Sequence, residues 1–322
     1  MPEPSAPEPS ASGVPRLTGV LVTYRRPQHV AETLRLLATQ TRPLDVLVVV
    51  DNDADPRVKK LVSGIPNAVY VAAPENLGPA GGIAVGMTRI LADAHDEDWI
   101  LTLDDDDPPP EPETLERLLA FAVASSARDP KTAAVGNDGV RMDFRRGRVT
   151  TIADDELGGP VPIDAIGGDR LPCYSVRAVR AVGPFRADLF FGFEELEFGL
   201  RLRRAGWSLA ADGPALRHDR EQRRAVATPP VPRRSLDPVS WRRYYSLRNL
   251  IVILRDHGHA STAARVALVV GFGKPIANLV RQPRLALAHL RLNARACRDG
   301  WTGRLGRRVE PPTGPELASR KG

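Results

Sequence analysis

Four consecutive carboxylates, Asp104, Asp105, Asp106 and Asp107, end the acidic part of the segment W-I-L-T-L-D-D-D-D-P-P-P at 99–110. The apolar residues before them read as a buried strand, and the prolines after them stop its continuation. Adjacent anions at the end of a buried strand repel one another, which is costly unless a cation stands beside them. A hard divalent ion, held through oxygen ligands and shared with a phosphate, is the natural candidate. An acidic run seen alone is better explained by a solvated loop, so the position of its strand decides. A second group of carboxylates, Glu194, Glu195 and Glu197, opens F-E-E-L-E-F-G-L-R-L-R-R at 193–204. Negative charge at a helix start is favourable by itself, because it faces the positive end of the helix dipole.

Strands and helices alternate strictly through the first half. Residues 17–23 (L-T-G-V-L-V-T) and 46–50 (V-L-V-V-V) read as buried strands, with 68–72 and 99–103 as two more. Helices are expected over 27–39, 57–63, 79–92 and 112–127. Right-handed crossovers make such a series a mostly parallel α/β sheet flanked by helices, and ligands of such sheets bind outside the carboxyl ends of the strands. The polar residues fall at those ends. Thr23, Tyr24 and Arg25 follow the first strand, Asp51 the second, Asn76, Gly78, Gly81 and Gly82 the third, and the Asp run the fourth. Asp51 could accept hydrogen bonds from a nucleobase or ribose, while the glycines allow close backbone approach at a helix N-terminus, where an anion is favoured. Taken by themselves they suit a plain turn and cap better, since they match neither the phosphate-loop spacing nor G-x-G-x-x-G.

At 322 residues and 42% hydrophobic content, the chain has room for one large or two modest domains. Cys173 and Cys297 lie far apart and match no metal or redox spacing, so free thiols in a reducing compartment are expected. The Pro/Ser/Glu-rich start lacks the basic and apolar regions of a secretory signal and reads as a disordered tail over 1–15. No apolar run reaches the ~20 residues needed to span a bilayer. The net charge of +6 conceals an asymmetry: residues 1–215 hold 23 Lys/Arg against 32 Asp/Glu, whereas 216–322 hold 22 against 7. The basic last third points to an anionic partner, and the missing aromatic interleaving counts against nucleic acid. A Pro-rich linker is expected over 228–239, then a basic helical region over 240–310 with helices at 241–258, 263–282 and 283–298, and a tail over 311–322.

Five segments in order, V-L-V-T-Y-R-R (20–26), V-V-V-D-N (48–52), E-N-L-G-P-A-G-G (75–82), L-D-D-D-D (103–107) and F-G-F-E-E-L-E-F-G-L-R-L-R-R-A-G-W (191–207), resemble the family 2 glycosyltransferases of the GT-A fold. The likeness extends over about 16–255 and is nearest in motif to the branch of bacterial galactofuranosyl- and rhamnosyltransferases. It implies a Rossmann-like GT-A catalytic domain over 16–227 with a C-terminal helical extension. It further implies an inverting, metal-dependent enzyme that moves galactofuranose or rhamnose from a UDP- or dTDP-sugar to a saccharide or lipid-linked saccharide in cell-envelope synthesis. Thr23, Tyr24, Arg25, Asp51, Asn76, Gly78, Gly81, Gly82, Asp104 and Asp105 would then line the nucleotide-sugar. Asp104, Asp106 and His218 would hold Mn2+ or Mg2+, with the register of the Asp run open by one residue. Glu194 or Glu195 would be the base that deprotonates the acceptor hydroxyl. Gly168, Asp169, Arg170, Cys173 and Tyr174 are candidates for the pocket wall, although turn and core roles suit each of them.

Combined with the basic third, the resemblance implies a cytoplasmic enzyme held peripherally at the inner face of the cell membrane, with Arg281, Arg284, Arg291 and Arg295 meeting anionic lipid. A homo-oligomer is left open. Two other classes compete: another nucleotide-sugar enzyme or nucleotidyltransferase, which ought to lack the Glu194/Glu195 pair and His218, and a non-enzymatic module binding anionic surfaces.

Overall fold

The computed structural model of the chain describes residues 14–226 and 238–310, without the side chains of 223–226. The tails expected over 1–15 and 311–322 and the linker expected over 228–239 fall almost wholly outside the described residues. Those residues form two compact units, one of 14–143, 149–187 and 194–226, the other of 144–148, 188–193 and 238–310.

The elements of the first unit follow in order. They are β1 (Leu17–Thr23), α1 (Pro27–Leu37), β2 (Val46–Asp51), α2 (Pro56–Val62), β3 (Ala68–Ala72), α3 (Gly78–Leu91), β4 (Trp99–Asp104), α4 (Thr114–Arg128), β5 (Thr132–Gly136), β6 (Val140–Asp143), β7 (Arg148–Thr151), β8 (Pro160–Pro162), β9 (Cys173–Ser175), α5 (Val176–Val182), α6 (Glu194–Arg204), β10 (Ser208–Asp212) and α7 (Gly213–Val226). Eight strands form one sheet in the order β3-β2-β1-β4-β9-β5-β10-β8, and β6 pairs with β7 as a separate hairpin. The first four neighbours are parallel, as the alternating pattern implies.

Strand β1 sits at the middle of this parallel half because all seven of its residues are buried. Successive side chains of a strand point to opposite faces, so Val20 and Val22 pack with Ile83, Met87 and Ile90 of α3 on one side. Leu17 and Leu21 pack with Val30 and Leu34 of α1 and Leu115 and Leu118 of α4 on the other. Helix α2 is held at its start by Asp55, whose side chain accepts from the Arg57 amide, a cap worth about 1 kcal/mol.

Two strands run against the others. β9 pairs antiparallel with both β4 and β5, and β8 pairs antiparallel with β10. Each has three residues, too short to leave a periodic pattern. The direction of β9 has a consequence for the site: residues just before it lie at the carboxyl end of β4, where the Thr102 amide donates to the Pro172 carbonyl at 3.0 Å.

The second unit contains α8 (Trp241–Asp256), α9 (Ala260–Val266), a π-helical turn (Ala267–Gly273), α10 (Lys274–Ala277) and α11 (Pro283–Thr302). The single helix expected over 263–282 is therefore broken, because two glycines and Pro275 interrupt its regular hydrogen bonding. The last helix runs four residues beyond the expected end and stops at Gly303, which adopts φ +69°.

Candidate active site

The strand register sets the polar ends level with one another. Thr23 stands beside Asp51, and Val22 beside Asp104. Thr23 Oγ1 donates to Asp105 Oδ2 at 2.7 Å, and Thr33 Oγ1 donates to the Asp105 carbonyl at 2.9 Å. Arg26 Nη1 reaches Asp105 Oδ1 at 3.0 Å and Asp106 Oδ2 at 2.8 Å. Burial still raises the proton affinity of Asp105, with Thr23 and Arg26 working against it. Asp104 is pushed up to about 8, first by burial and then by the charges of Glu195, Asp105, Asp106 and Asp169.

The loop entering β9 brings Gly168 onto this rim. A Cβ there would stand 2.6 Å from Glu195 Oε1 and 3.4 Å from Asp104 Oδ2, so a bare backbone is what lets the two carboxyl groups share this corner. Glu195 is raised well above the ordinary carboxylate range, first by burial, then by Glu194 and Asp169. Helix α6, which carries it, is seated by Gly199, where a Cβ would lie 2.0 Å from the Asp164 carbonyl oxygen. Arg170 stands among three acids nearby, 3.4 Å from Asp138, 3.5 Å from Asp169 and 3.7 Å from Asp219.

Asp51 has a different environment. It is fully buried, Oδ1 accepts from the Asp53 amide at 3.0 Å, and Oδ2 accepts from the Asp55 amide at 2.7 Å and Tyr70 Oη at 3.0 Å. Burial and that bond lift the Tyr70 phenol to about 12. Asn52 bridges to the next loop, donating to the Gly78 carbonyl at 3.2 Å and accepting from the Leu77 amide at 3.1 Å. Asn76 Oδ1 accepts from the Gly78 amide at 2.9 Å, which fixes the turn that Gly78 makes at φ +68°. A Cβ on Gly81 would meet Leu77 Cβ at 2.7 Å, and one on Gly82 would meet Val22 Cγ1 at 2.5 Å. These two glycines serve the close seating of α3. Arg25, also in the left-handed region at φ +60°, reaches Asp53 Oδ1 at 3.0 Å and covers the Tyr24 ring at 4.9 Å.

Of the residues expected at a site, the structure brings Thr23, Asp104, Asp105, Asp106 and Glu195 to one rim. It gives Asp51, Asn76, Gly81 and Gly82 partners within the protein. His218 is exposed on α7, 3.1 Å from the Gln222 side chain. Among the described residues no three His, Cys, Asp or Glu side chains form a group that could hold a metal ion. The donor chemistry nevertheless fits a hard divalent cation. One or two carboxylates plus substrate phosphates are the usual magnesium ligands, and the raised Asp104 marks a place short of positive charge. Arg26 was not singled out from sequence. Two adjacent arginines follow β1, and only the turn at Arg25 decides that the second faces the Asp run.

Residues 19–155 match the family profile described as Glycosyl transferase family 2. Over this segment, a little under half of its length, the chain is similar to that family. It is 36% identical over 200 residues to Galactofuranosyltransferase GlfT1 of Mycolicibacterium smegmatis (strain ATCC 700084 / mc(2)155), a match covering 58% of this chain and 65% of that protein. It is 35% identical over 197 residues to the protein of the same name from Mycobacterium tuberculosis (strain CDC 1551 / Oshkosh), covering 58% and 64%. The chain thus spans a little under two thirds of these relatives' length. Its fold is similar to a crystal structure of GalNAc-T7 with UDP, GalNAc and Mn2+, at TM-score 0.53 and 13% identity over 76% of this chain and 48% of that one. The family segment ends at 155, before Gly168 and Glu195.

Proposed function

We propose that this protein transfers a hexosyl group, galactofuranose in first place and rhamnose in second, from a UDP- or dTDP-sugar to a hydroxyl of a saccharide or lipid-linked saccharide in cell-envelope synthesis. The observation that carries the reading is the pairing of Asp104 and Glu195 across Gly168 at the carboxyl rim of a family 2-like sheet. The curated relatives favour galactofuranose.

The reaction is a single displacement with inversion. The acceptor oxygen forms a bond to the anomeric carbon as the bond from that carbon to the diphosphate oxygen breaks, and the nucleoside diphosphate leaves with the electron pair. Glu195 takes the acceptor proton. Its raised proton affinity suits a base working near neutral pH, where an ordinary carboxylate would be a weak acceptor. Asp104 and Asp106 would hold Mn2+ or Mg2+, which when bound offsets charge on the diphosphate. Thr23 and Arg26 keep Asp105 turned inward, and so fix the direction of its two neighbours. Asp51, Asn52 and Asn76 shape the loops flanking the donor rather than offering free acceptors. His218 stays a candidate ligand once donor and cation are bound.

The test is release of nucleoside diphosphate from UDP-galactofuranose and from dTDP-rhamnose, each with manganese, magnesium or chelator and with a panel of saccharide acceptors. Acceptor-stimulated, divalent-dependent release from one donor is expected. Release from neither donor under any of these conditions would reject the reading.

A further inference from the structure

Eleven large hydrophobic side chains are conspicuously exposed among the described residues, and six of them fall within twenty residues of the helical unit. They are Leu268, Val269 and Val270 on the π-helical turn, Ile276 on α10, Val280 in the connection and Leu287 on α11; Val280 is 95% exposed. The other five are scattered over both units. The turn, α10 and α11 pack on one another as a helical hairpin, with Ala267, Gly271, Pro275, Asn278, Ala286 and Asn293 buried along its inner side.

The exposure is built in by the backbone. Three consecutive residues of an α-helix sweep most of the way round it, so one side normally takes only one or two of them. Across the π turn, Leu268, Val269 and Val270 all face out while Ala267 and Gly271 on either side are buried. The carbonyls this irregular turn leaves over are captured: Arg243 Nη2 donates to the Val270 carbonyl at 2.7 Å, and Asn293 Nδ2 donates to that of Gly271. The turn is thus a held conformation, with its aliphatic side directed away from the unit.

The charge around it has one sign. From 257 to 298 there is no Asp or Glu, whereas Arg265, Lys274, Arg281, Arg284, Arg291, Arg295 and Arg298 all lie in that span. Lys274, Arg281, Arg284 and Arg291 are exposed beside the aliphatic side chains. A twofold contact between copies would set this cationic patch against itself, because such an interface repeats the same surface on both partners. Aliphatic residues ringed by arginines fit instead the boundary between headgroups and acyl chains of a bilayer carrying anionic lipid. No helix of the described residues is long and apolar enough to cross a membrane, so the contact is one of partial insertion.

We propose that the hairpin around 268–287 inserts into the surface of an anionic lipid bilayer, with Val269 and Val280 entering the acyl region and Arg281, Arg284 and Arg291 meeting lipid phosphates. The full chain is sedimented with vesicles of phosphatidylglycerol and phosphatidylcholine in equal parts, and with phosphatidylcholine alone. Binding to the mixed vesicles only is expected. The double variant Val269→Asp/Val280→Asp, which keeps every cation, should bind about tenfold more weakly or worse while unfolding at an unchanged temperature, since both positions are exposed. Tryptophan placed by Val280→Trp should become quenched by vesicles with brominated acyl chains. Equal sedimentation with both lipids, an undiminished double variant, no quenching, or a dimer in place of vesicle binding that the double variant dissolves would each overturn the proposal. No sugar donor enters these assays, so their failure leaves glycosyl transfer standing, and the reverse holds.

Discussion

In the helical unit the guanidinium of Arg248 is fully buried, yet each nitrogen has an acceptor: Nε gives to Asn249 Oδ1 at 2.9 Å, Nη1 to the Gly306 carbonyl at 2.7 Å and Nη2 to the Leu189 carbonyl at 2.7 Å. Its carbon Cζ lies 4.8 Å from the Tyr245 ring centre. Asn249 extends the knot, donating to the carbonyls of Leu189, Phe191 and Gly192. At the sheet rim, Asp104 and Glu195 are only half-buried, yet what surrounds them is largely more carboxylate, and both proton affinities rise. A buried charge whose every nitrogen has an acceptor is there to hold chain together. A cluster of like charges short of a counterion is strained, and is kept where something else will supply the charge.

The comparison is sharpened most by Glu195→Gln. Removing the proposed proton acceptor while keeping the shape should cut transfer about 10²–10⁴-fold with donor affinity retained. Steady-state rates beside calorimetry of the nucleotide separate the two quantities. Glu194→Gln should fall well short of this, since Glu195 is the carboxylate set against Asp104. A larger loss in Glu194→Gln than in Glu195→Gln would invert the assignment.

Arg248→Met tests the other side. It strands the acceptors that the guanidinium served, and we expect about 2–4 kcal/mol of lost stability in urea unfolding. A loss below about 0.5 kcal/mol would mean that the knot is decoration.

Gly82→Ala divides packing from ligand approach. The added methyl meets Val22 at 2.5 Å, so about 1–3 kcal/mol of stability should go. Val22→Ala in the same chain should restore part of it. If the single variant is fully stable but loses donor affinity, the glycine serves the ligand instead.

The parallel half of the sheet was legible because β1, β2 and β4 are buried on both faces and read as largely apolar runs, with β1 and β3 falling on the expected residues. Thr23 and the Asp run were legible for the same reason, since the ends of such strands can be counted off. The partnership of Asp104 with Glu195 was not. It depends on β9, three residues that reverse direction beside β4 and carry Gly168 to the rim from 64 positions further along the chain. Nor did composition tell Arg26 from Arg25, because the choice is made by one backbone angle. In the helical unit, the π turn escaped a reading based on regular periodicity.

The smallest expected effect isolates the strain itself. An acid whose affinity for protons is higher folded than unfolded makes the folded state bind more protons, so stability falls as pH rises. For Asp104 that fall begins near its ordinary value of 3.8 and is complete above about 8. Asp104→Asn carries no proton to lose and escapes it. The melting temperature of Asp104→Asn minus that of the natural sequence should therefore climb between pH 5 and pH 8, by about 2–6 °C at low salt without divalent ions. Manganese should shrink the difference by stabilising the natural carboxylate alone, in proportion to how far its concentration exceeds the dissociation constant. Arg248→Met, carried through the same series, should show no such climb, because an arginine stays charged throughout this range and a methionine does not titrate. A pH-independent difference for Asp104→Asn would remove the distinction between these two charges, and with it the reason for placing the cation at the sheet rim.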